Sequence, residues 1–137
     1  MTDYLVDYSV WARAITGDTH MVERLRRIER APSDLFVTCP PQVLEFCHSA
    51  RTPAEHAHYR EQISLGFPLE RAPDESLVLD IQGALWNAGL ARAAGPTDIL
   101  IAAYALVNEA TVLAADHDFG HIARVTDLRH EYVAPSS

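Results

Sequence analysis

The chain has 137 residues, 48% of them apolar, and a formal net charge of −8. Such a length and apolar fraction predict one domain over residues 1–137 with its own core, and they exclude a disordered tail. They also exclude a membrane-spanning protein, because no run approaches the ~18 apolar residues that a spanning helix needs. The acidic balance argues against a broad basic surface for polyanions, and all 11 basic residues are arginine, which strikes out any mechanism that needs a lysine.

The opening "MTDYLVDY" has no basic region before its apolar residues, so no signal peptide is expected. Two cysteines, Cys39 and Cys47, are too few for a disulfide scaffold, and reduced thiols in the cytoplasm are expected. Residues 3–7 read as a short buried strand ending in Asp7. A helix over 9–16 follows, with Ser9 placed to cap it. Residues 19–31 carry Met21, Val22, Leu25 and Ile28 at helical spacing, with Arg24, Arg26, Arg27 and Arg30 on the other face. "LFVT", 35–38, is a second strand. "CPPQVLEFCHSAR" starts a helix at its prolines, with Val43, Leu44 and Cys47 expected inside. "TPAE", 52–55, has the pattern of a capping box and opens a polar helix to about Ser64.

"FPLER", 67–71, reads as a short strand. An amphipathic helix with Leu77, Ile81 and Leu85 four apart comes next, weakened at Gly83 and Gly89, where a break is expected. Residues 99–107 are apolar on every side, the pattern of a buried central helix. "TVLAAD", 111–116, is a strand, "DFGHIARV" a short helix, and 130–134 a last strand. Short, mostly apolar strands alternating with helices predict a parallel sheet covered on both faces. In such sheets functional residues collect beyond the carboxyl ends of the strands.

That rule selects particular acids. Asp7 and Asp116 end strands, and Asp118 follows two residues on. Asp98 opens the apolar helix, and Glu45 lies inside "PPQVLEFC" between Leu44 and Phe46. Taken singly, an Asp after a strand is more often a helix cap or turn residue than a ligand, and Asp98 alone reads as a favourable N-terminal helix charge. Taken together, carboxylates near a core repel one another and need compensation. Few basic residues lie near these motifs in sequence, Arg13 and Arg92 among them. A hard divalent cation, Mg²⁺ or Mn²⁺, suits a set of carboxylate and water oxygens. Such a site activates water and stabilises charge on a phosphodiester.

"LVDYSVWAR", "PPQVLEFCHSAR", "GPTDILIAAYAL" and "VLAADHDFGHIARVT" resemble the four acidic motifs of PIN-domain proteins, and more narrowly those of VapC-type toxins. The likeness covers nearly the whole chain in order. It implies a three-layer α/β/α fold around a short central parallel sheet. It implies an Mg²⁺- or Mn²⁺-dependent endoribonuclease that cuts tRNA, rRNA or mRNA, is inhibited by a small VapB-like antitoxin, and forms a homodimer. Carried over by position, the catalytic acids are Asp7, Glu45, Asp98 and Asp116. The metal ligands are drawn from Asp7, Glu45, Asp98, Asp116 and Asp118, with either of the last two as the fourth, around one or two ions. Ser9 and Thr97 are supporting residues. Tyr8, where a small residue is frequent, and Ala115 and His117, which vary between subgroups, bear on substrate details.

Arg92 and Arg13 are candidate contacts to RNA or antitoxin. The arginines of 24–30 read as a solvated helix face or as phosphate contacts. Trp11 and Trp86 sit where core or interface residues are expected, with base stacking the other reading. His117 and His121 are four apart, but no C-x-x-C or compact His/Cys cluster supports zinc. Receiver-like and aspartyl-phosphatase chemistry falls with the missing lysine, and no P-loop stretch exists. The remaining alternative is a catalytically silent PIN-like module that only binds protein or RNA.

Overall fold

In the computed structural model, which describes residues 1–136, five parallel strands form one sheet in the order β3-β2-β1-β4-β5. The strands are β1 (Thr2–Val6), β2 (Asp34–Thr38), β3 (Phe67–Pro68), β4 (Thr111–Ala114) and β5 (Arg129–Tyr132). The helices are α1 (Tyr8–Ile15), α2 (Thr19–Arg30), α3 (Pro40–His48), α4 (Pro53–Ile63), α5 (Glu75–Asn87), α6 (Pro96–Asn108) and α7 (Asp118–Ala123). Every pairing is parallel, with β1 between β2 and β4. The expected parallel sheet and its covered faces are therefore present.

Alternation along the central strands sorts the core into two layers, because successive side chains leave opposite faces of a strand. Tyr4, Val6 and Leu113 pack with Val10 of α1 and with Met21 and Ile28 of α2. Leu5, Val37, Val112 and Ala114 pack on the other face against Ile81 and Leu85 of α5, Ile101 and Ala105 of α6, and Phe119 and Ile122 of α7. Among the described residues, no helix is long and apolar enough to cross a membrane.

Several local expectations are corrected. The helix interior at Gly83 is unbroken, and α5 ends instead near Gly89, which takes φ +74°, a conformation that glycine adopts without Cβ strain. Leu44 is 71% exposed rather than inside; Gln42, Phe46 and Cys47 face inward from α3. Trp86, expected in the core or at an interface, is 62% exposed, which excludes the core. Leu100 of the all-apolar α6 also reaches solvent. Apolar composition does not specify which side of a helix is buried when its neighbours cover only part of it. The strand at "FPLER" shrinks to two residues, Phe67 and Pro68, because its partner β2 ends at Thr38, whose carbonyl takes the Leu69 N–H at 2.8 Å.

The arginine face of α2 is not uniformly solvated. Arg24 donates from Nε to Glu131 Oε2 at 2.6 Å and from Nη2 to Glu131 Oε1 at 3.0 Å. It also donates to the Tyr4 hydroxyl at 2.9 Å, with its guanidinium over the Tyr4 ring. This fork joins α2 to β1 and to the edge strand β5 with the planar bidentate geometry specific to arginine.

Candidate metal centre

Asp7 is the fixed point of the site. Its backbone N–H donates to the Leu113 carbonyl at 2.8 Å, so the residue stays bound to the neighbouring strand after β1 ends. Its Oδ2 accepts the Ser9 N–H at 3.1 Å, which makes Asp7 the N-cap of α1. The sequence expectation placed the cap at Ser9; Asp7 performs it instead. Its other oxygen, Oδ1, is buried and accepts no hydrogen bond among the described residues. The Ser9 Oγ accepts the Ala115 N–H at 2.9 Å. Ser9 thus ties the start of α1 to the segment after β4.

Glu45 comes from α3 and Asp98 from the first turn of α6, which Pro96 starts at a position where its missing donor costs nothing. One carboxylate oxygen from each of Asp7, Glu45 and Asp98 lies within 4.8 Å of the others. Asp116 and Asp118 flank this triad. Asp116 lies in the loop beyond Ala114 rather than on the strand, and its Oδ1 accepts the Asp118 N–H at 3.2 Å.

The electrostatics follow from that crowding. Burial is the largest influence on Asp98, followed by a hydrogen bond with Asp118 and by the charges of Asp7, Asp118 and Asp116. Together they push its carboxyl up to about 8. Burial also raises Glu45, with Asp7 and Asp116 adding repulsion. Asp7 is raised by burial, against the opposing hydrogen bonds from Ser9. Asp116 is raised by burial and by the charge of Asp118, against the Asp118 N–H that it accepts and the charges of Arg13 and His117. These residues fit a hard divalent cation. All donors are carboxylate oxygens, and Asp7 offers a buried oxygen that no hydrogen bond occupies.

The other predicted residues divide. Arg13 faces Asp116 and donates to the Ser9 carbonyl at 3.4 Å, beside the site. Arg92 is exposed between α5 and α6, and Thr97 is exposed in the first turn of α6; neither has a side-chain hydrogen bond among the described residues. Trp11 packs against Phe36 and Phe46 in the interior. One positioning residue has no counterpart among the sequence candidates. Gln42 is buried, and its Nε2 donates to the Val6 carbonyl at 2.7 Å while its Oε1 accepts the Cys39 N–H at 3.3 Å. It clamps the strand end before Asp7 to the start of the helix that carries Glu45. Its signal was a polar residue at the third position of a helix that begins with two prolines.

Fold and site together define a class: a parallel α/β protein that gathers acidic side chains at the carboxyl end of its sheet. The chain belongs to the PIN domain family, whose model matches residues 4–125. It is 31% identical over 132 residues to "VapC ribonuclease Mb1587" of Mycobacterium bovis and to "Ribonuclease VapC11" of Mycobacterium tuberculosis, across 91% of this chain and 95% of each relative. Its fold is similar to that of the Rickettsia felis VapBC2 complex bound to a promoter DNA fragment, with TM-score 0.74, 15% identity, and 96% and 98% of the two chains covered. The DNA-bound VapBC of Salmonella typhimurium is also similar, with TM-score 0.71, 19% identity and the same coverage.

Proposed function

We propose that this chain is a metal-dependent endoribonuclease of the VapC toxin type, acting in the cytoplasm as a single domain and held inactive by a small VapB-like antitoxin. The convergence of Asp7, Glu45 and Asp98 within 4.8 Å carries the reading. Relatives named as ribonucleases and neighbours solved as VapBC complexes support it. A bound Mg²⁺ or Mn²⁺ would supply Lewis acidity at the phosphodiester and a water activated near neutral pH. Asp7, Glu45 and Asp98 would hold it, with Asp116 and Asp118 completing or orienting the set. Asp7 is positioned for this by the Leu113 carbonyl and the Ser9 amide, and Glu45 by the Gln42 clamp. Arg13, beside Asp116, would meet a substrate phosphate.

Two surfaces suit protein partners. A cavity of about 440 Å³ between α1, α2 and the turn into β3 is lined largely by apolar groups, including Trp11, Leu25, Phe36 and Ile63, with Arg26 and Glu29 among its lining residues. It suits an apolar antitoxin segment with charged flanks. Leu79 and Trp86, seven apart on α5 and both exposed, suit a second copy of the chain.

The test pairs calorimetry with cleavage. Mn²⁺ should bind the purified chain, and metal should be required for endonucleolytic cuts in total cellular RNA. Asp98→Asn should reduce cleavage by more than about 100-fold, because loss of a group that merely supports a ligand already costs 10–100-fold. An Asp98→Asn chain with full metal-dependent cleavage overturns the assignment, and absence of metal binding leaves a binding module.

A further inference from the structure

The carboxyl ends of β4 and β5 carry an aromatic pair that the acidic centre does not use. His117 lies between Asp116 and Asp118, and Tyr132 is the last residue of β5. Their ring centroids are 4.3 Å apart and their planes differ by 19°. The sheet register brings them together, since Tyr132 pairs with Ala114, two residues before Asp116. Both side chains stay in reach of solvent, with Tyr132 39% exposed. Their backbones are fixed on one side by the β4–β5 ladder and on the other by the start of α7.

Tyr132 also borders a shallow cavity of about 360 Å³ lined by His20, Arg24 and Arg27 and by the carboxylates Glu23 and Glu131. Arg24 is held by Glu131, whereas no carboxylate pairs with Arg27 among the described residues. From the acids the surface therefore runs through the flat rings to a mixed cavity in which Arg24 occupies Glu131 and Arg27 has no ion pair among the described residues.

We propose that the His117–Tyr132 stack is a nucleobase platform, receiving one base of single-stranded RNA beside the phosphodiester held at the acids, with the backbone continuing toward Arg27. The proposal rests on the nuclease reading and adds to it the substrate's single-stranded character and a subsite. A chain with net charge −8 and no lysine gains little from a general attraction to phosphates. Stacking needs no net charge, and every base offers a π-face. Trp11 packs against Phe36 and Phe46 and lines the cavity between α1, α2 and the turn into β3, so it is committed elsewhere.

The experiment uses the full chain and a fluorescein-labelled single-stranded RNA chosen because the wild type binds it. Equilibrium binding is read by anisotropy in Ca²⁺, and cleavage is followed separately in Mn²⁺. Tyr132→Leu should weaken binding and raise KM by roughly 5- to 100-fold, the range for a lost base–aromatic stack, while kcat and Mn²⁺ affinity hold. Tyr132→Phe, which keeps the ring, should match wild type. An abasic site walked along the RNA should reproduce the wild-type loss at one position near the cut, and Tyr132→Leu should lose nothing more there. A flat abasic profile on the wild-type chain overturns the platform without relying on any variant. So do independent, multiplying losses, or a Tyr132→Phe chain as impaired as Tyr132→Leu. If the wild type binds RNA with the abasic signature yet never cuts it in Mn²⁺, the nuclease reading fails and the platform stands. If it cuts normally and Tyr132→Leu is neutral, the platform fails alone.

Discussion

Asp98 shows what a single residue takes on in this site. A carboxyl pushed up to about 8 keeps its proton in the folded chain at pH values where the unfolded chain has released it. Asp7, Glu45 and Asp116 shift in the same direction. Between about pH 4 and pH 8 the native state thus binds more protons than the unfolded state, and its stability falls as pH rises. Thermal melts in chelator should show a lower melting temperature at pH 8.5 than at pH 5.5, and added Mn²⁺ should restore it most at the higher pH, because only deprotonated ligands bind metal. Asp98→Asn should flatten the chelator profile, since it removes the group with the largest rise. A profile equally steep in that variant would locate the effect elsewhere. The acids themselves were legible in the sequence, because each carboxylate borders an apolar segment and therefore needs a reason to be there. The Gln42 clamp was not, since a buried amide is recognisable only once the carbonyl it satisfies is known to be near.

Elements were legible where one physical cause dominates. Proline at the start of α3, α4 and α6 sets their first turns, and the apolar runs at 4–6 and 112–114 become central strands. Legibility failed where the outcome depends on neighbours. Leu44 and Trp86 sit at positions of ordinary helical apolar spacing, yet no element covers them. Gly83 illustrates propensity overridden by packing. Ile81 and Leu85 on either side of it are buried against α6 and α7, and that burial carries the helix through. A Cβ built at Gly83 meets nothing within 4 Å. Gly83→Ala should therefore raise stability by about 0.5–1 kcal/mol, the helix-interior difference between the two residues. Urea denaturation checks this, with RNA cleavage expected to stay unchanged. A loss of stability would mean that this face of α5 is already covered, as in a homodimer.

For the whole molecule, charge and surface divide the work. A net charge of −8 offers little to RNA outside the site, so affinity has to come from metal, arginine at chosen places and uncharged contact. The same economy applies to a protein partner. Leu65 lines the cavity between α1, α2 and β3, and it is 84% exposed, so its replacement disturbs little of the core. Leu65→Glu should weaken antitoxin binding by about 1–3 kcal/mol, the scale of one buried large apolar side chain, as read by calorimetry with the cognate protein. Cleavage by the free chain should be unaffected. Equal affinity in this variant would move the antitoxin to another surface.

The strand order also dates the site. β1 is made first, yet it lies in the middle of the sheet and waits for both neighbours. The carbonyl that holds the Asp7 amide belongs to Leu113, and Ala115, which Ser9 engages, follows two residues later. A nascent chain halted before β4 carries Asp7, Glu45 and Asp98 but lacks the strand that sets the first of them in place. The acidic centre therefore matures only after β4 has been made, and a fragment terminated before that strand should be harmless to the cell that made it.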